Sequence, residues 1–91
     1  MRTLAIETSC DDTSLSIVNN DQGVYTVEYL RAFTQLDIHR QYGGVVPELA
    51  SRSHAEKIVD LIVDVKQHYD LAAIDCISVT AYPGLPGALL V

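Results

Sequence analysis

The sequence predicts an α/β fold: a three-strand antiparallel meander, then a helix, then a fourth strand parallel to the first. Three observations predict it. Strand-like runs at 3–8, 13–19 and 24–33 are separated only by short polar turns. A run with helical periodicity covers 53–69. A further apolar run, 74–80, follows this crossover, and a helical crossover joins parallel strands.

Each element has its own signal. Thr3 to Thr8 reads as a buried first strand. From Thr13 to Asn19 the pattern alternates, with Leu15 and Ile17 on one face and Ser14 and Ser16 on the other. The cluster Asn19-Asn20-Asp21-Gln22-Gly23 is a turn, and Val24 to Phe33, rich in Tyr and Val, is a third strand. Residues 34–44 read as irregular and end in Gly43-Gly44. Ser53 and Glu56 match the capping-box pattern S-x-x-E, which predicts a helix start at 53, with Pro47 opening a short helical turn before it. Ala55, Ile58, Val59, Leu61, Ile62, Val63, Val65 and Tyr69 cover an arc of roughly 200° on the helical wheel. That is wider than one face packed on a sheet needs. A second layer of the same protein, or a partner subunit, would cover the excess. Cys76, inside the fourth strand, reads as a buried small hydrophobe. Ala88 to Val91 reads as the opening turn of a helix.

With 91 residues the chain forms at most one domain. A chain of this length buries roughly 60–65% of its unfolded surface. The apolar end and the single opening turn predict an N-terminal piece of a longer protein. The net charge of −6, with only six Lys and Arg, excludes a stand-alone nucleic-acid binder, whose affinity comes from neutralising phosphates. Two cysteines make no disulfide scaffold. No signal-peptide pattern is present, and no apolar run approaches the roughly 18–20 residues of a membrane span. The expected location is the cytoplasm, with no membrane partner.

Two loops carry candidate chemistry. "IETSCDD", residues 6–12, leaves a buried strand through Thr8, Ser9 and Cys10 into two adjacent acids, Asp11 and Asp12. Such a hairpin can hold a phosphate on N–H and hydroxyl groups, with a carboxylate binding a cation or its waters. The rival reading is an ordinary polar turn. "PGLPG", residues 83–87, follows a strand and precedes a helix, and free amides there attract anions. With the first and fourth strands side by side and parallel, both loops open at one sheet edge. His39, His54 and His68 lack close metal-ligand spacing. Arg52 and His54 are expected to face water, and His68 to favour the helix C-terminal dipole. Nothing local supports a nucleophilic pair of Cys10 with a histidine.

Three blocks, "IETSCDDTS" (6–14), "YGGVVPELASRSH" (42–54) and "PGLPGALLV" (83–91), together resemble the N-terminus of the TsaD family, the tRNA threonylcarbamoyladenosine transferases once labelled O-sialoglycoprotein endopeptidases. The resemblance spans essentially the whole chain and about the first quarter of a typical member. It implies an actin/Hsp70 ATPase-type fold of two ribonuclease-H-like lobes, with residues 1–91 forming the N-terminal part of the first lobe. It implies transfer of a threonylcarbamoyl group from its adenylate to N6 of the adenosine next to the tRNA anticodon. Asp11 and Asp12 then match catalytic positions. Ser9, Pro83, Gly84 and Gly87 match substrate- or nucleotide-binding ones. The family holds iron or zinc through ligands that lie outside these 91 residues, and an ATP-like nucleotide is the expected companion. The implied partners are a TsaB-like paralogous subunit, or a second copy, against helix 53–69, and tRNA through the full complex. Three positions depart from the family pattern. Asp12 stands where glutamate is common and draws its carboxylate back by about one methylene. Tyr82 replaces a small residue and is expected to narrow the cleft, and Pro86 is not the usual residue. Alternative readings are a non-catalytic partner-binding lobe and a glycoprotein metalloendopeptidase.

Overall fold

The computed structural model describes residues 1–35, 39–89 and 91. Its sheet has the order β3-β2-β1-β4, built from β1 (Arg2–Glu7), β2 (Asp12–Asp21), β3 (Val24–Thr34) and β4 (Cys76–Val79). The first three strands pair antiparallel, and β4 lies parallel to β1, so the meander and the parallel crossover strand hold as predicted. The β2–β3 hairpin turns on Gln22 and Gly23, with φ of 53° and 85°. Positive φ at both central residues matches the twist of the flanking strands. The Asn20 side chain closes this turn by accepting the Gly23 N–H at 3.0 Å.

The helix α1 runs from Pro47 to His68 without interruption. This corrects the predicted start at Ser53. Pro47 supplies the fixed φ of a first helical residue and lacks the N–H that would go unpaired there, so the helix begins at it. Ser53 is consequently a buried interior residue, not a cap. At the far end the Tyr69 N–H donates to the Val65 carbonyl at 2.8 Å, and the His68 Nδ1 donates to the Asp64 carbonyl at 2.9 Å. His68 thus lies at the C-terminal turn as expected. A short 3₁₀ turn, Leu71–Ala73, leads into β4, and α2 (Pro86–Leu89) ends the described elements. Part of the irregular run predicted at 34–44 (residues 36–38) and Leu90 of the predicted last helical turn lie outside the described residues.

One face of the sheet packs on α1. Leu15 and Ile17 are fully buried there with Leu4, Tyr29, Leu61 and Val65. Burying each large aliphatic side chain contributes roughly 1.5–3 kcal/mol. Between Ile17 and Val18 the β2–β3 register shifts by one residue, with Glu28 as the extra residue on β3. Tyr29 therefore faces α1, while Val27 pairs with Val18 on the opposite face. The Tyr29 hydroxyl donates to Asp64 at 2.5 Å. Burial, then this bond and the Asp64 charge, push the phenol up to about 12. The wide apolar arc of α1 divides in two: Leu61 and Val65 are buried, whereas Val59 and Val63 are exposed. Every residue of β4 is exposed, including Cys76. The expected burial of Cys76 fails because neither face of β4 is covered by α1.

Candidate functional site

The turn 8–11 joins β1 to β2, and the glycine loop lies directly against it. The Leu85 N–H donates to the Ser9 carbonyl at 2.7 Å. A Cβ added at Gly84 would sit 2.6 Å from that same oxygen and 2.8 Å from the Ser9 Cβ, so only glycine lets the two loops close up. Gly87 is different: an added Cβ would meet nothing nearer than 3.9 Å. The Thr8 hydroxyl donates to the Ala88 carbonyl at 3.1 Å, which fastens α2 to the turn. The two loops thus meet at one end of the β1–β4 pair, as the parallel arrangement predicts.

Much of the turn's polar capacity is engaged inside the protein. The Ser9 N–H donates to Glu7 at 2.5 Å, and the Thr80 hydroxyl donates to the other Glu7 oxygen. Burial alone would raise the Glu7 carboxyl. Hydrogen bonds from Ser9 and Thr80 outweigh it and hold the group below its ordinary value. Glu7 therefore ties β1, the turn and the end of β4 together. The sequence reading missed Glu7 and Thr80. Their signal was the β1–β4 register, in which Ile6 pairs with Val79 and the two polar residues follow side by side.

Asp11 is half-buried and lines an open cleft of about 310 Å³ with His39, Arg40, Gly43, Gly44 and Val45. Of the site residues the sequence predicts, only Asp11 is part of this lining. Asp12 is exposed at the start of β2, opposite Thr34. Pro83 and Gly84 are exposed in the loop beside Ser9. Tyr82 is 83% exposed and is not part of this lining.

Behind the turn lies a buried polar chain. His54 is fully buried, which corrects its expected exposure to water. Its ring reaches the Cys10 carbonyl through Nε2 at 2.8 Å and the Thr13 hydroxyl through Nδ1 at 2.6 Å. Helical spacing explains this position: with α1 starting at Pro47, His54 lies two turns in and two turns before Leu61, on the same buried face. Arg52, by contrast, is exposed and pairs with Glu48 at 3.0 Å. Gln35 joins His54 to the equally buried His39. Burial, then the charges of Asp11 and Asp12, push the Cys10 thiol up, and His54 binds the Cys10 carbonyl, so no activated thiolate forms here.

The residues present do not fit the family's metal. Among the described residues no three of His, Cys, Asp or Glu come together as a metal site, and both nitrogens of His39 and of His54 are engaged within the protein.

A mixed sheet of this order, packed on one face by the helix that follows its third strand, is of the ribonuclease-H-like fold class. Solved structures agree. The PPX-GPPA enzyme of Aquifex aeolicus superposes with a TM-score of 0.52 at 16% identity, over 87% of this chain and 25% of that one. A second structure, the Aquifex aeolicus member of the Ppx/GppA family, gives 0.51 at 14% identity over the same shares. At these identities the likeness is one of fold, and the chain spans a quarter of the length of these structures. Within that class, the family model for TsaD, tRNA N6-adenosine threonylcarbamoyltransferase, matches residues 28–91. The chain belongs to the TsaD family, a family of tRNA-modifying transferases.

Proposed function

We propose that this chain supplies the phosphate-facing mouth of an enzyme that moves a threonylcarbamoyl group from threonylcarbamoyl-adenylate to N6 of the adenosine beside a tRNA anticodon. The observation that carries the reading is the closure of the glycine loop onto the Asp11 turn, with Leu85 bonded to Ser9 and no room for a side chain at Gly84.

In this reaction N6 attacks the carbamoyl carbon, the bond from that carbon to the phosphate oxygen breaks, and AMP leaves with the electron pair. The N6 proton must go to a base, and Asp11, half-buried at the cleft, takes that role. Asp12 stands outside the cleft and acts through its charge. Ser9 and Gly84 hold the two loops together, and Pro83 and Gly87 shape the glycine loop that borders the leaving phosphate. Ligands for the family's iron or zinc would come from outside this chain, and the ion would supply Lewis-acid chemistry there. The acidic surface here requires that tRNA be gripped by other parts of the assembly.

The reading places the protein in the cytoplasm, and none of the described helices is long and apolar enough to cross a membrane. Exposed Val59 and Val63 on α1 favour a TsaB-like subunit, or a second copy, at this helix.

The test incubates the 91-residue chain with threonylcarbamoyl-adenylate and unmodified tRNA. No modified nucleoside should form, while adenylate should shift the amide resonances of Ser9, Asp11 and Gly84. These 91 residues are expected to be inactive alone; modification by them would overturn that expectation, and unshifted resonances would overturn the mouth.

A further inference from the structure

The buried chain behind the turn runs between main-chain atoms whose hydrogen-bonding sense cannot change. At one end the Val46 N–H, immediately before α1, donates to His39 Nδ1 at 3.1 Å. A neutral His39 then carries its proton on Nε2 and donates to Gln35 Oε1 at 2.7 Å. That fixes the Gln35 amide, whose nitrogen donates to the Ala50 carbonyl at 3.3 Å and faces His54 Nδ1 at 3.4 Å. His54 Nδ1 is therefore an acceptor, also from the Thr13 hydroxyl. Its Nε2–H donates to the Cys10 carbonyl at the other end. The backbone groups of Val46, Ala50 and Cys10 all agree on one direction. Among the described residues no buried side-chain nitrogen or oxygen is left without a partner.

We propose that His54 and His39, joined through Gln35, are positioning residues that set the gap between the two walls of the Asp11 cleft. One wall is the turn that contains Cys10 and Asp11. The other is the segment Gly43–Val45, which ends at Val46. The Gln35 main chain adds a direct tie, its N–H donating to the Asp11 carbonyl at 2.9 Å. In the neutral form, both imidazoles carry their proton on Nε2. A second proton on His39 would meet the Val46 N–H, and one on His54 Nδ1 would meet the Gln35 amide nitrogen. Glu7 faces this region from the end of β1, and Asp11 and Arg40 face it from the cleft. None of the three breaks the chain of bonds. The inference rests on the reading of Asp11 as a site residue, and it adds the machinery that places Asp11.

Long-range nitrogen–proton correlation spectra of the imidazole rings of the 91-residue chain at neutral pH test it, with His68 as an exposed reference. His39 and His54 should both show the neutral Nε2–H form. An Nδ1–H form or an imidazolium at either would overturn the proposal. Gln35→Glu replaces the amide donor with an acceptor, so the ring-nitrogen resonances of His54 should move from those of the parent chain; unchanged His54 resonances would overturn it equally. His54→Ala should speed hydrogen exchange at the Gln35 and Leu85 amides about tenfold, the equivalent of one lost buried bond. His54→Gln, which keeps an N–H within reach of the Cys10 carbonyl, should restore most of that protection. Equal protection in all three proteins would count against the proposal. If His54→Ala does not fold, the first two spectra still decide. Neither nucleotide nor tRNA is used. Failure here would remove the lock and leave the transfer reading standing, and amide resonances left unshifted by adenylate would overturn that reading and leave the lock standing.

Discussion

Leu4 and Ile77 are register partners on adjacent parallel strands and share one face of the sheet, yet Leu4 is 8% exposed and Ile77 is 67% exposed. Ile6 and Val79, the next pair along that face, divide less sharply, with Ile6 half-buried and Val79 62% exposed. Residue type and strand geometry are the same on both sides of the comparison. What differs is reach: α1 lies over β1, β2 and β3, and β4 projects beyond it. Burial in this molecule is decided by where the helix stops. An apolar strand is therefore a statement about what can be covered, and the helix decides what is.

The comparison breaks most visibly through truncation. Leu15→Ala, under α1, should cost about 2–5 kcal/mol of stability, whereas Ile77→Ala should stay within about 0.5 kcal/mol; urea unfolding followed by circular dichroism checks both. A similar cost for the two would mean that β4 is covered after all. A second contrast sets two glycines of one loop against each other. Gly84→Ala drives a methyl group against Ser9 and should cost about 1–3 kcal/mol. Gly87→Ala meets only ordinary contacts and should be close to neutral; thermal melts distinguish them.

The seam between the buried half and β4 should also respond to pH. Glu7 is held below its ordinary value of 4.5 by Ser9 and Thr80 against the opposing effect of burial. The folded protein thus favours the carboxylate. The contribution is complete above pH 4.5 and fades as pH falls below it, through the lower folded value. Glu7→Gln should lose about 1 kcal/mol at neutral pH and lose less further stability on acidification than the parent chain, measured by urea midpoints across the acid range. The smallest effect belongs to the exposed pair Arg52–Glu48, where Arg52→Ala should change stability by no more than about 0.5 kcal/mol.

The sequence was legible wherever a local pattern decides the structure. Alternation placed Leu15 and Ile17 inward, turn residues placed the hairpins, and the long crossover placed β4 parallel to β1, which brought the two loops together. It was illegible where a distant element decides. Ser53 and Glu56 satisfy the capping pattern, but Pro47 had already started the helix, so the pattern fell in its interior. That same earlier start carried His54 under the turn, where a helix beginning at Ser53 would have left it at an open end. Cys76 matched a buried strand, and only the extent of α1 could show that nothing covers it. Glu7 looked like the last residue of a strand. Its role depends on Thr80, which lies beside it only through the β1–β4 pairing. Asp11 was singled out from its turn, but the opposite wall of its cleft comes from Gly43–Val45, whose two glycines the local pattern marked only as the end of an irregular run.

The polar chain under the cleft begins on the N–H of residue 46 and ends on the carbonyl of residue 10, main-chain groups that every amino acid except proline carries. Its grip on the two walls is consequently indifferent to what side chains occupy positions 10 and 46. Those walls are free to be re-dressed for a different substrate while their spacing stays constant. Positions 13, 35, 39 and 54 are held to a narrow chemical alphabet; all four are buried, and His39 also borders the cleft.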